Sequence, residues 1–143
     1  MKIVIQVVNN ATLSVDGKTV SQIGKGLCVY FGVEKGDERK DSDFAVKKIC
    51  NMRIFKDDND KMNLSVKDIK GEVLFISQFT LLADISHGNR PDFFKAEQPD
   101  KAKEIYEYTQ GLFTLYGVPV KTGVFGADMK IKQENDGPVT IIF

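Results

Sequence analysis

Residues that could carry out chemistry are few in this sequence. His87 is the only histidine, and it lies in the polar run Ser86-His87-Gly88-Asn89-Arg90. A serine hydrolase would need this imidazole as its base, because the base must reach both the nucleophile and the proton that it accepts. The sequence has no Gly-x-Ser-x-Gly elbow to present such a serine. The pattern therefore favours a solvated loop histidine.

The sequence gives equally little support for a metal site or for a nucleotide-binding site. Cys28 and Cys50 lie in apolar stretches and lack the close spacing of metal ligands. Paired histidines are absent, and no glycine-rich phosphate loop is present. We expect no metal and no cofactor, and we interpret the two cysteines as reduced, packed thiols of a cytosolic protein.

Two short polar clusters remain as candidates for a site. The first is Ser77-Gln78-Phe79-Thr80, at the end of the apolar run 72–79. The second is Asn135-Asp136-Gly137-Pro138-Val139-Thr140. Taken singly, the first could be ordinary hydrogen bonding at a strand end, and the second a turn before the last strand. Residue type alone leaves both interpretations open.

Size and charge exclude several classes of protein. A chain of 143 residues, 42% of them apolar, can build one domain with a real core. Twenty basic residues balance twenty acidic ones, which argues against coating long nucleic acids but allows a small footprint on one RNA end. No stretch reaches the ~18 apolar residues of a membrane span. Without a secretory signal ahead of the first apolar alternation, we expect a cytoplasmic protein.

The elements that must position these clusters are strands for the most part. Asp16-Gly17 between the runs 12–15 and 19–23 predicts a hairpin, because glycine tolerates positive φ. The apolar runs 27–33 and 72–79 predict strands buried on both faces. Asn9-Asn10 suggests a break after the first strand. Further strands are predicted at 118–124, 129–133 and 139–143.

Two helices complete the prediction. The first spans about 42–51, with Asp41 or Ser42 as its cap. The second begins at Pro99-Asp100 and ends at Gly117, and residues 84–99 before it form a long loop. Because we see no βαβ alternation, the pattern predicts an α+β fold. We expect mostly antiparallel, barrel-like sheets with two main helices, in a single domain over residues 1–143.

Together, the two polar clusters resemble the signature motifs of the D-aminoacyl-tRNA deacylase family, Ser-Gln-Phe-Thr-Leu and Asn-x-Gly-Pro-x-Thr. They stand in the same order and at the same separation. The resemblance covers essentially the whole chain and is very specific as an ordered set. It continues through Val33-Glu34-Lys35-Gly36-Asp37, Asn51-Met52-Arg53-Ile54-Phe55, Lys61-Met62-Asn63-Leu64-Ser65, Gly88-Asn89-Arg90-Pro91 and Phe125-Gly126-Ala127-Asp128-Met129.

This resemblance implies an enzyme that hydrolyses the ester between a D-amino acid and the terminal adenosine of tRNA. It implies Ser77, Gln78, Phe79 and Thr80 as the catalytic set, with the backbone near Phe79 against the reacting end and the ribose 2′-hydroxyl assisting. An activated ester needs less help than an amide, so oriented backbone N–H donors could suffice. An alternative makes Thr80 the nucleophile, which the lack of a nearby base disfavours.

The resemblance also implies how D is told from L. Gly137-Pro138, followed by Val139 and Thr140, would adopt a cis peptide bond and enter the pocket of the partner subunit. The active sites would then lie at the interface of a homodimer. The inserted backbone would clash with an L side chain, while several D-amino acids and glycine would be accepted. The implied partner is the acceptor end of aminoacyl-tRNA, with no role for DNA or membranes.

Two other hypotheses stay open. A non-catalytic β-rich module that binds RNA ends or a protein partner would fit the neutral charge. A conventional serine esterase would use Ser86 or Ser77 with His87. Activity on charged tRNA and the effect of His87→Ala separate these hypotheses from the deacylase.

Overall fold

A computed structural model describes residues 1–143. Eight strands and two α-helices make up the chain, together with two short 3₁₀ helices at Phe79–Leu82 and Phe113–Tyr116. In chain order, the strands and α-helices are β1 (Lys2–Val15), β2 (Lys18–Ile23), β3 (Gly26–Gly32), α1 (Arg39–Asn51), β4 (Phe55–Lys56), β5 (Met62–Leu64), β6 (Glu72–Ser77), α2 (Pro99–Leu112), β7 (Val120–Thr122) and β8 (Lys130–Ile142).

A six-stranded sheet carries the fold, in the order β2-β1-β3-β6-β7 with β8 along the other side of β1. The first half of β1 pairs with β3 and its second half with β2, so this long strand serves two parts of the sheet. Side chains then join β2 to β7: the Ser21 hydroxyl donates to the Thr122 carbonyl at 2.6 Å, and Lys121 Nζ donates to the Gln22 carbonyl at 2.6 Å. The sheet therefore curves into a nearly closed barrel.

The predicted α+β class is confirmed, with two main helices and a barrel-like, mostly antiparallel sheet. The predicted absence of βαβ alternation is wrong, however. β3 pairs parallel with β6 across a connection that contains α1, and β6 pairs parallel with β7 across one that contains α2. Parallel strands need such crossovers because the chain must return to the same end of the sheet. The β4–β5 hairpin and the long loop before α2 obscure the alternation in the sequence.

Aromatic packing joins the helices to the sheet. Phe75 on β6 is fully buried, with ring centroids 5.0 Å from Phe31, 5.0 Å from Tyr106 and 5.4 Å from Phe113. The Tyr106 hydroxyl donates to the Phe75 carbonyl at 2.8 Å, so the buried polar group is satisfied. This cluster fixes the end of β6, from which the first polar motif emerges.

Local capping residues determine where the helices begin and end. α1 begins at Arg39, one turn earlier than predicted, because Glu38 and Asp41 form a capping box. Ser42, one of the predicted caps, is instead buried and accepts a hydrogen bond from the Thr109 hydroxyl at 2.8 Å. α2 begins at Pro99 as predicted, and its 3₁₀ extension ends at Gly117, which adopts φ 66°. No helix is long and apolar enough to cross a bilayer.

The second polar motif does not separate two strands, contrary to the prediction. β8 pairs with β1 on both sides of it: Val8 lies opposite Asn135, and Gln6 lies opposite Thr140. An advance of two residues along β1 therefore corresponds to five residues along β8. Residues 136–139 have no partner on β1 and form a large bulge. We call these four residues the excursion. Asn9-Asn10 is likewise an irregularity inside β1, while the Asp16-Gly17 hairpin is confirmed.

The two cysteines should be unreactive in the folded protein. Cys28 and Cys50 are fully buried and unpaired, and burial raises the pKa of Cys28 to about 11 and that of Cys50 to about 12. Because the thiolate is the reactive form, we expect neither to react with DTNB within minutes at about pH 8, and both to react in urea. Rapid reaction of one cysteine per chain with DTNB in the native protein would contradict the buried positions.

Candidate functional site

A cavity of about 580 Å³ opens where β6, the start of α2 and the segment before β8 meet. Ser77, Gln78 and Phe79 line it, so the structure brings three of the four residues of the first polar motif to one site. The fourth, Thr80, lies beside the cavity and does not line it. The other walls come from the loop before α2, from Gln98, Pro99 and Ala102 at the start of that helix, and from the segment 125–129.

Local backbone geometry places the first amides of a 3₁₀ helix beside this wall. β6 ends when the Gln78 amide donates to the Phe31 carbonyl at 2.9 Å, and the chain then turns into the 3₁₀ helix that starts at Phe79. The first N–H groups of a helix have no partner within it. The amides of Phe79 and Thr80 stand at these first positions, so the 3₁₀ helix itself offers them no acceptor. Free amides beside a cavity can stabilise negative charge on a bound oxygen atom.

Thr80 lacks the surroundings of a nucleophile. Its hydroxyl is exposed and accepts a hydrogen bond from Nε2 of Gln78. An amide donor cannot remove the hydroxyl proton, whereas an activated threonine needs an adjacent base. The structure therefore favours a supporting contact that orients the Gln78 side chain.

Glu97 is one of two carboxylates on the cavity wall, and its contacts make it a weak general base. Its oxygens accept the Gln98 amide at 2.8 Å and contact Lys101 Nζ at 3.0 Å. The Gln98 amide first, and then Lys101, hold the pKa of this carboxyl below its usual range. A carboxylate stabilised in its charged form is a poor proton acceptor.

Aromatic side chains form the apolar part of the cavity, and of these only Phe79 was predicted from the sequence as a site residue. Phe79 and Phe93 meet edge to face with centroids 5.0 Å apart, and Phe125 lies 5.9 Å from Tyr106. Met129 and Ile131 complete the wall toward β8. The run Phe125-Gly126-Ala127-Asp128-Met129 was available as a signal, since it belongs to the family resemblance. Phe93 had no such signal, because it lies in a loop without periodicity.

His87 stands apart from the cavity. It is exposed in the loop that the bridge between Asp84 and Asp92 closes. The Ser86 hydroxyl donates to Asp84 at 2.6 Å, and this bond, with the Ser86 amide and Lys95, lowers the pKa of Asp84 to about 2. Ser86 is thus committed to a carboxylate, and the structure assembles no serine–histidine pair.

Replacing His87 with alanine should change the rate of ester hydrolysis by less than about twofold. A serine esterase that used this imidazole would instead lose several orders of magnitude. Steady-state hydrolysis of aminoacyl-tRNA by the purified variant measures the difference. A large loss of kcat, with unchanged thermal stability, would show instead that His87 takes part in catalysis.

The excursion lies outside the cavity described above. Gly137 and Pro138 are exposed, and the peptide bond between them is cis. None of Gly137, Pro138, Val139 and Thr140 lines the cavity. Thr140 re-enters the ladder opposite Gln6, and its hydroxyl accepts the Gln6 amide at 3.3 Å. Within one chain, therefore, the two polar motifs are not brought together.

Comparison with known proteins gives matches over nearly the whole chain. The family model described as "D-Tyr-tRNA(Tyr) deacylase" matches residues 4–143. The D-aminoacyl-tRNA deacylase of Persephonella marina is 56% identical over 97% of this chain and 94% of the relative. That of Geotalea daltonii is 53% identical over 99% of this chain and 95% of the relative.

Solved structures share the fold. One described as "c-Myc DNA Unwinding Element Binding Protein" has a TM-score of 0.93 and 38% identity, covering 100% of this chain and 97% of the other. A probable eukaryotic D-amino acid tRNA deacylase has a TM-score of 0.83 over 99% of this chain and 97% of the other; at 19% identity it supports the fold alone. Matched over nearly its whole length by the family model and by close relatives, the chain belongs to the D-Tyr-tRNA(Tyr) deacylase family.

Proposed function

We propose that this enzyme hydrolyses the ester bond of D-aminoacyl-tRNA in the cytoplasm, releasing the free D-amino acid and tRNA. The observation that carries the proposal is the start of a 3₁₀ helix at Phe79 and Thr80, which aims its first amides beside a cavity where no base contacts a serine or threonine hydroxyl. An ester bound there with its carbonyl oxygen against these amides would be polarised without a covalent intermediate. Family membership supplies the substrate class.

In the proposed reaction, water attacks the ester carbonyl carbon. The oxygen that gains negative charge accepts hydrogen bonds from the amides of Phe79 and Thr80, which are already fixed by the 3₁₀ turn. The bond to the ribose 3′-oxygen breaks, and that oxygen leaves with a proton as the tRNA hydroxyl. The neighbouring 2′-hydroxyl of the RNA relays the proton from the attacking water. The protein orients the ester and stabilises the developing charge, and the proposed reaction uses no metal or cofactor.

We assign chiral selection to the excursion of a second subunit. In one chain, Gly137-Pro138 is exposed and away from the cavity, which is the placement required of a group that serves another subunit. Inserted into the partner's cavity, its backbone leaves room for hydrogen at one position on the substrate Cα and excludes an L side chain. This clash discriminates without recognising the D side chain. Several D-amino acids, and glycine on mischarged glycyl-tRNA, are then substrates of a homodimer.

Hydrolysis of D-tyrosyl-tRNA and L-tyrosyl-tRNA by the purified protein tests this function. We expect rapid loss of the D ester and persistence of the L ester, without added metal or nucleotide. Equal loss of both esters would contradict the chirality filter and favour an ordinary esterase. Stability of both would favour the non-catalytic binding module. Sedimentation of the same protein must also give the mass of a dimer.

A further inference from the structure

Five polar side chains form a branched hydrogen-bond network at the base of the excursion, and the proposed reaction uses none of these bonds. The Tyr30 hydroxyl donates to Oε1 of Gln133 at 3.1 Å. Nε2 of Gln133 donates to Oε1 of Gln6 and to Oδ1 of Asn135, both at 2.6 Å. Nε2 of Gln6 donates to the Thr140 hydroxyl at 3.3 Å.

Two of the three ends of this network flank the excursion, and the third is Tyr30. Asn135 is the last residue of β8 in register with β1 before the excursion, and Thr140 is the first one after it. Gln133 therefore holds one end, Gln6 holds the other, and their amides bind each other. Three strands contribute, since Tyr30 lies on β3, Gln6 on β1 and Gln133 on β8.

The excursion needs such support because it has little of its own. Its four residues have no partner in the register of β1, and Asp136, Gly137 and Pro138 are exposed. A segment with few buried contacts opens easily, while one held at both ends samples fewer conformations. Tyr30 fixes the network to the barrel: it is half-buried, and burial first, then Cys28, raises the pKa of its hydroxyl, which stays a donor.

We propose that Tyr30, Gln133 and Gln6 form a positioning clamp that sets the excursion for chiral selection. The inference rests on the proposed function, in which the excursion excludes L side chains from the partner's cavity. A clash discriminates only when the excluding backbone is held in place, because a mobile segment can yield to the wrong substrate. The clamp residues act through Gly137-Pro138 and touch no reacting atom.

Comparison of Gln133→Met with Tyr30→Phe tests the clamp. Methionine keeps the length of the side chain but removes the amide, whereas phenylalanine removes only the hydroxyl. We expect Gln133→Met to lower the ratio of D to L kcat/KM by about tenfold or more, mainly through faster L hydrolysis. Tyr30→Phe should lower the ratio by less, and adding it to Gln133→Met should have no further effect, because Tyr30 acts through the Gln133 amide.

Tyr108→Phe is the matched control. It removes a tyrosine hydroxyl that binds Asp43 at 2.9 Å on the helical side, away from the excursion, and should leave the ratio unchanged. Hydrogen exchange gives a readout that does not depend on activity: amides of residues 134–143 should exchange faster in Gln133→Met, with β3 unaffected.

The outcomes separate the clamp from the proposed function. Unchanged exchange in Gln133→Met would overturn the clamp, whatever the activity. A parallel fall in D and L hydrolysis, with the ratio preserved, would mean a purely structural role and overturn the assignment to specificity. A wild-type protein that cleaves neither ester would overturn the proposed function, and the exchange measurement would still report on the clamp.

Discussion

Substitution of Gly137 by alanine is expected to lower the ratio of D to L kcat/KM by about 100-fold, mainly through faster hydrolysis of L-aminoacyl-tRNA, while leaving the fold intact. Gly137 has φ 117°, a region that L side chains rarely adopt. An added Cβ would also lie 2.8 Å from Cγ2 and 3.0 Å from the backbone nitrogen of Val139. The excursion must therefore change shape. Because it is exposed, the cost in stability should stay within about 1–3 kcal/mol.

Gly17→Ala provides the control for backbone strain. Gly17 has φ 75° in the β1–β2 hairpin, and an added Cβ would meet nothing within 4 Å. This variant should lose a comparable amount of stability and keep full activity. Single-turnover hydrolysis of D- and L-aminoacyl-tRNA, and urea denaturation of the same preparations, compare the two effects. An unchanged ratio of D to L hydrolysis in Gly137→Ala would refute the role assigned to the excursion.

Replacing Phe75 with alanine is expected to cost about 3–5 kcal/mol in the free energy of unfolding. The side chain is fully buried, and its ring contacts Phe31, Tyr106 and Phe113, so truncation leaves a cavity between the sheet and α2. Domains of this size are stable by about 5–15 kcal/mol, so the loss is a large share of the total. The variant should unfold at a much lower urea concentration.

Phe44→Ala makes the same chemical change at an exposed site. Its side chain is 59% exposed, and we expect a change within about 0.5 kcal/mol. Both variants must be compared at one protein concentration, because dimer formation would add to the apparent stability. Equal losses for Phe75→Ala and Phe44→Ala would show that the aromatic cluster does not dominate the core.

The first polar motif could be located from sequence because its signal is local. An apolar run ending in Ser77-Gln78 predicts polar groups at a strand end, and the structure places them on the cavity wall. The catalytic role of these residues stays a prediction. The hairpin at Asp16-Gly17, the start of α2 at Pro99 and the stop at Gly117 were also predictable, since each depends on the conformational preference of a few neighbouring residues.

The second motif shows the limit of local patterns. Asn135-Asp136-Gly137-Pro138 has the composition of a turn, and only pairing with β1 more than 120 residues earlier in the chain makes it an excursion within one strand. The same applies to the parallel crossovers, to the aromatic wall that Phe93 and Phe125 form, and to the bond between Tyr30 and Gln133.

The residues of both motifs can thus be recognised in the sequence itself, and local conformational preference predicts most of the helices and strands. Register, and with it the contacts among distant residues, depends on which side chains the closed sheet can bury together. That choice is made by the whole barrel at once, because moving one strand by a residue would exchange its buried and exposed faces. For this reason the motifs were recognisable from sequence, whereas the cavity, the excursion and the clamp emerged only from the assembled fold.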